Sequence, residues 1–183
     1  YLAVCIELMG AGERRPKAVD GQVEGALRGI ATHGMLLGHS LLGQHASDIS
    51  MVMNWLAGEE VGLDVDNERT AVIGHDLGAA AGLLGSPLDT RLWATVMVDP
   101  PVRFRDAVKR RAVTSEMTMP GLLRWMDIDD ILLLCAPRPV LACPGLAPCS
   151  EEVGGLFEGA GLFYGLFEAE SRLRIADAVG GIW

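Results

Sequence analysis

Aromatic side chains are scarce in this 183-residue chain: four Trp, four Phe and two Tyr, 5% of the total. Cations are scarce too, 15 Lys and Arg against 24 Asp and Glu, for a net charge of −9. A protein that grips nucleic acid generally needs the opposite balance, so that class is excluded. No uncharged apolar run approaches the roughly 18 residues of a membrane span. No charged, apolar and small-residue leader pattern opens the chain. Cys5, Cys135, Cys143 and Cys149 form no CxxC pair, which removes a structural zinc site. Cys143 and Cys149 are spaced so that they could be bridged. Cys5, Cys135 and Cys143 sit in apolar runs, where a reduced thiol acts as a small hydrophobe, and that is the reading preferred. His33, His39, His45 and His75 are the only histidines, so none follows position 75. Neither a cofactor nor a resident metal is expected.

Half of the chain is apolar. That excludes disorder and supplies one packed core, while the length falls short of two domains of roughly 100–150 residues. Residues 1–183 are therefore read as a single domain. Leu2 to Leu8 reads as a buried strand ending in a turn at Gly10 and Gly12. Residues 13–34, polar and glycine-punctuated, read as a long loop with a helical turn at most. Leu42, Ala46, Ile49, Met53 and Leu56 recur at alternating steps of four and three, the stripe of an amphipathic helix. Further strands are expected at Thr70–Gly74, Leu92–Val98, Val140–Cys143 and Leu173–Ala176. Helices are expected at Leu77–Leu84, from near Arg103, over Ile128–Cys135 behind Asp127 as N-cap, and over Glu151–Glu168. Such alternation predicts an α/β fold, doubly wound about a mostly parallel sheet. The chain opens on Tyr1 inside a strand-like run, and on that ground its N-terminal part is expected to be missing.

The most informative segment runs from Thr70 to Gly82: an apolar strand, then Gly74-His75-Asp76-Leu77-Gly78, then a helix of very small residues. A nucleophile elbow has this layout, because its central residue sits in a strained strand-to-helix turn and its neighbours two positions away need little side chain. Asp76 takes the central position. The backbone N–H of Leu77 would supply half of an oxyanion hole.

From Leu36 to Ile182 the chain resembles the α/β-hydrolase superfamily, in its acetyl xylan esterase and dienelactone-hydrolase-like branch. The landmarks, in order, are Gly38-His39-Ser40-Leu41-Leu42-Gly43, Asp66-Asn67-Glu68-Arg69, the elbow, Leu88-Asp89-Thr90-Arg91, Pro120-Gly121-Leu122-Leu123-Arg124 and Ala136-Pro137-Arg138-Pro139-Val140-Leu141. Tyr1 to Glu13 resembles an earlier strand with its G-x-G-E-R turn. The resemblance implies a partial or minimal α/β-hydrolase fold with further strands before Tyr1, and small acyl esters as substrates if the protein is active.

An ester-cleaving member needs Ser, an acid and His in that chain order. The elbow here holds Asp76. The loop after Cys143 reads Pro144-Gly145-Leu146-Ala147-Pro148-Cys149, with no carboxylate before Glu151 and Glu152. Ile182 follows Gly180-Gly181 where the family often has His. A catalytically degenerate domain, serving as a binding or structural module, is the leading reading. The alternatives are a working hydrolase, either an esterase whose base lies outside this chain or an enzyme using Asp76 itself, and a fragment that docks on another chain. Haloalkane dehalogenases and epoxide hydrolases use an elbow Asp, often after His as in His75-Asp76, but His75 as catalytic base is the weakest of the site assignments.

Other features read more simply. Ser40 is taken as a helix N-cap rather than a nucleophile, since Leu42 stands where a second glycine belongs. Asp127, Asp129 and Asp130 are a carboxylate-rich first helical turn rather than a metal site. Arg103, Arg105, Lys109, Arg110 and Arg111 are a solvated helix face. Asp99 either belongs to a site at a strand's carboxyl end or caps the turn at Pro100 and Pro101. An exposed sheet edge is expected to support a protein partner or a homo-oligomer.

Overall fold

Four short strands run parallel in the order β1-β2-β3-β4, with β1 Thr70–His75, β2 Leu92–Val98, β3 Val140–Cys143 and β4 Leu173–Ile175. The computed structural model describes residues 2–16, 26–58, 62, 65–66, 68–144 and 150–176. Its helices are α1 Ala26–Leu36, α2 Leu41–Leu56, α3 Leu77–Leu88, α4 Phe104–Lys109, α5 Ile128–Leu134 and α6 Ser150–Gly165. Parallel strands joined by helical crossovers make this an α/β fold.

The 4-3-4-3 stripe of α2 does what its period demands: Leu42, Ala46, Ile49, Met53 and Leu56 are all buried. Ser40 caps the helix, its hydroxyl accepting from the Gly43 N–H at 3.0 Å. Helix α3 is buried through Ala79, Ala80, Ala81 and Leu83. Small residues bring it close to its neighbours. A Cβ on Gly82 would sit 3.3 Å from Val72 Cγ2, and one on Gly85 would sit 3.4 Å from Ala46 O. The core joins α2, α3, α5 and α6 to one face of the sheet through Val140 and Ala142. Alternation puts Ala71, Ile73 and His75 on the other face, where all three are exposed and Ile73 reaches 73%. Among the described residues, no strand pairs with the outer edge of β1.

Two of the landmark stretches, 88–91 and 136–141, pin elements together. Asp89, just past α3, holds Arg91 through both carboxylate oxygens, at 2.9 and 2.6 Å, and Arg91 also donates to Asn54 of α2. Arg138 donates to the carbonyls of Leu92 and Asp89 at the start of β2. The buried Tyr164 hydroxyl donates to Arg138 O at 3.0 Å, and burial pushes its ionisation above the ordinary range.

Two local expectations are corrected. Residues 2–8 form no strand and are largely exposed, Cys5 included; Ile6 alone of the run packs against the core. An apolar run becomes a strand only where a neighbouring strand offers it hydrogen bonds, and among the described residues none is placed beside this one. Residues 13–34 are not a loop with one turn, because α1 begins at Ala26. Its glycines masked the periodicity. The basic residues after β2 are mostly exposed, as a solvated face requires, and are laced by ion pairs: Arg103 and Arg105 pair with Asp129, Arg105 with Asp127, Lys109 with Asp106 and Arg110 with Glu152.

Candidate functional site

Strand β1 ends at His75, α3 begins at Leu77, and Asp76 between them makes the elbow. Asp76 has φ 50° and ψ −112°, a conformation costly for a residue with a Cβ. Two hydrogen bonds hold it there: its N–H donates to Val98 O at 3.0 Å, and its carbonyl accepts from the Ala80 N–H at 3.1 Å. The two flanking glycines are not equivalent. A Cβ on Gly74 would overlap the carbonyl of Gly78 and come within 2.6 Å of Ala79 N, whereas a Cβ on Gly78 would meet nothing within 4 Å. The elbow thus demands glycine before the turn because α3 folds back over that position. It makes no steric demand after it.

Leu77 is the first residue of α3, so its N–H has no carbonyl acceptor within the helix. The Asp76 side chain does not cap the helix either. That N–H therefore stands at a helix start, directly after the elbow residue.

His75 and Asp99 are brought together. His75 Nε2 lies 2.9 Å from Asp99 Oδ2, across the pair of strands whose register sets His75 beside Val98. Asp99 resembles Asp76 in backbone: φ is 49°, and its N–H donates to the next strand, at Cys143 O. Two left-handed aspartates therefore follow adjacent parallel strands at their carboxyl ends, the position where sites form in open α/β sheets.

Both aspartates line a cavity of about 560 Å³. Asp76 and Leu77 form one side, Asp99 to Val102 follow from β2, and Phe104 and Ala107 come from α4. The segment around Thr114, Glu116 and Met117, with Leu27, Pro144 and Val153, completes the wall. Burial works against the charged form of Glu116. Hydrogen bonds from its own N–H and Thr114, with Arg28 nearby, outweigh it and hold the carboxyl below its usual value. Burial pushes the Cys143 thiol up. His75 does not line the cavity; it supports Asp99 from outside.

The loop Gly145–Cys149 and the terminal Ile182 lie outside the described residues. Glu151 and Glu152 fall in the first turn of α6, where Glu152 binds Arg110 through both oxygens, at 2.5 and 2.9 Å. Among the described residues, no group of three His, Cys, Asp or Glu side chains could hold a metal ion. Asp127 forms a capping box with Asp130 at the start of α5 and also accepts from the N–H groups of Phe104 and Arg105.

One cluster went unread in the sequence. His45 and Asp48, both buried in α2, meet the G-x-G-E-R turn: Arg14 Nη1 lies 2.6 Å from Asp48 Oδ2, and Met9 O lies 3.3 Å from His45 Nε2. Burial lowers the His45 pKa. The i, i+3 spacing of His45 and Asp48 was visible, but nothing in the sequence named Arg14 as their partner.

No family model and no curated protein matches the sequence. Solved structures match the fold. A Bacteroides fragilis protein assigned to the acetyl xylan esterases superimposes with a TM-score of 0.72 at 19% identity, over 93% of this chain and 45% of that one. A methylesterase gives 0.66 at 18% identity, over 96% and 36%. A glucuronoyl esterase from Teredinibacter turnerae gives 0.56 at 22% identity, over 77% and 39%. The chain therefore has the α/β fold of these esterases and spans less than half the length of each.

Proposed function

We propose that this chain is an esterase-like α/β-hydrolase domain that binds a small acyl ester in the elbow cavity without forming a serine acyl-enzyme. One observation carries the reading: the residue held at the elbow is Asp76, on the wall of that cavity. The fold supplies the strained turn and the Leu77 N–H, which can receive an ester carbonyl. It does not supply a hydroxyl to attack it. A carboxylate that attacked an acyl carbon would form a mixed anhydride, and no described His reaches into the cavity to activate water against it.

The test is a paired measurement with p-nitrophenyl acetate, scoring binding by saturation-transfer NMR and turnover by nitrophenolate release. Saturable binding without a burst is expected. A stoichiometric burst with a covalent acyl group would overturn the reading.

A second reading, a hydrolase with Asp76 as nucleophile, draws on the His75–Asp99 pair at 2.9 Å beside the elbow. Asp76 would attack an alkyl carbon, expel the leaving group and form an alkyl ester, which water would then cleave at the carboxyl carbon. Single turnover in ¹⁸O-water would label the Asp76 carboxylate; an unlabelled peptide after product release would exclude that route.

A further inference from the structure

We infer that the elbow cavity takes an organic cation, a small ester bearing an ammonium group. The inference rests on the proposed role of that cavity as a ligand site and specifies its chemistry. Its walls are apolar, with Pro100, Pro101, Phe104 and Met117 prominent. The charged side chains on the lining are Asp76, Asp99 and Glu116, all carboxylates, and no Lys or Arg lies among the described lining residues.

Two of the three carboxylates have a partner outside the lining: the His75 ring on Asp99 and the Arg28 guanidinium near Glu116. Asp76 differs. Its carboxylate does not cap α3 and joins no hydrogen bond or ion pair among the described residues. It lines the cavity and is itself exposed to solvent. An anionic ester would meet three carboxylates on the lining and no cation there, and like charges repel. A quaternary ammonium suits the same surroundings, because its methyl groups are apolar and its diffuse charge is cheap to desolvate. Phe104, the one aromatic on the described lining, adds a small favourable surface for it. The net charge of −9 also favours the approach of cations over anions. An ester carbonyl at the Leu77 N–H leaves the cationic end to the Asp76 carboxylate and the apolar wall.

The test is a titration of the whole chain with three probes: acetylcholine, neohexyl acetate as its uncharged carbon isostere, and monomethyl succinate as an anionic ester. Acetylcholine is expected to bind about tenfold more tightly than the isostere, with the succinate ester weakest. Asp76→Asn should cut the preference for acetylcholine by about threefold or more. Where that variant melts abnormally, Glu116→Gln serves in its place with the same direction. If the isostere binds as tightly as acetylcholine, the cation inference is overturned and the ligand cavity stands. If none of the three binds, both are overturned.

Discussion

His75 Nε2 stands 2.9 Å from Asp99 Oδ2, tying the residue before the elbow to the residue that follows β2. The pair closes a bracket around two left-handed aspartates, so the orientation of Asp99 in the cavity depends on a side chain outside it. An exposed polar contact of this kind contributes little to global stability, at most about 1 kcal/mol. His75→Ala is therefore expected to leave the urea midpoint nearly unchanged while weakening ester binding. A large loss of stability with unchanged binding would mark His75 as a structural group.

Asp76→Ser tests whether only the nucleophile is lost. No turnover of p-nitrophenyl acetate is expected. A serine hydroxyl needs a base, and general-base assistance is worth about 10²–10⁴-fold. His75 supports Asp99 outside the cavity, and the sequence has no histidine beyond it. Burst kinetics with an acylated serine would require a base supplied from elsewhere.

The two elbow glycines should respond oppositely to alanine. Gly74→Ala drives a methyl into the Gly78 carbonyl, and strain of that kind costs about 1–3 kcal/mol or more. Gly78→Ala meets open space within a helix, where alanine gains about 0.5–1 kcal/mol over glycine. Chemical denaturation of the two variants decides it: equal destabilisation would mean that α3 does not fold back over β1 as described.

Acid should unfold the protein partly through Asp127 and Asp89. Burial opposes the charged form of Asp127, but Arg105 and the N–H groups of Arg105, Ile128 and Phe104 outweigh it, placing its pKa below the ordinary 3.8. The hydrogen bond from Arg91 does the same for Asp89. A depressed carboxylate stabilises the fold above its unfolded pKa, and that stability is lost as pH falls through the folded value. Stability should thus be flat above about pH 5 and decline below pH 4. Asp127→Asn should shallow the decline; an unchanged acid limb would count against the assignment.

Association through the edge of β1 that no described strand covers is a further expectation. The strand Thr70–His75 carries no Lys, Glu or Pro to blunt its edge, and Ile73 is exposed on the sheet face beside it. Sedimentation should show concentration-dependent self-association that Ile73→Lys reduces. A monomer at all concentrations would refute this.

Much of the fold was legible because its determinants are local. The 4-3-4-3 stripe of α2, the cap at Asp127, the prolines after Cys135 and the runs 92–98 and 140–143 each act within a few residues. The elbow was legible for the same reason: glycine at position 74 and small residues at 79–82 announce a helix lying close on a strand. Two segments misled. Leu2 to Leu8 has strand composition but no adjacent strand, and α1 has glycines where a periodic stripe would show.

The sequence by itself settled that an Asp occupies the elbow and that no histidine follows it, because both are facts of order along the chain. Only the tertiary structure decided what surrounds that Asp. The His75–Asp99 bond joins residues 24 apart, Arg14 reaches Asp48 across 34, and the cavity wall combines four helices with the ends of three strands. Whether a carboxylate has a partner is set by which strands lie side by side and in what register. That is fixed by packing the whole sheet against its helices, which no local pattern encodes.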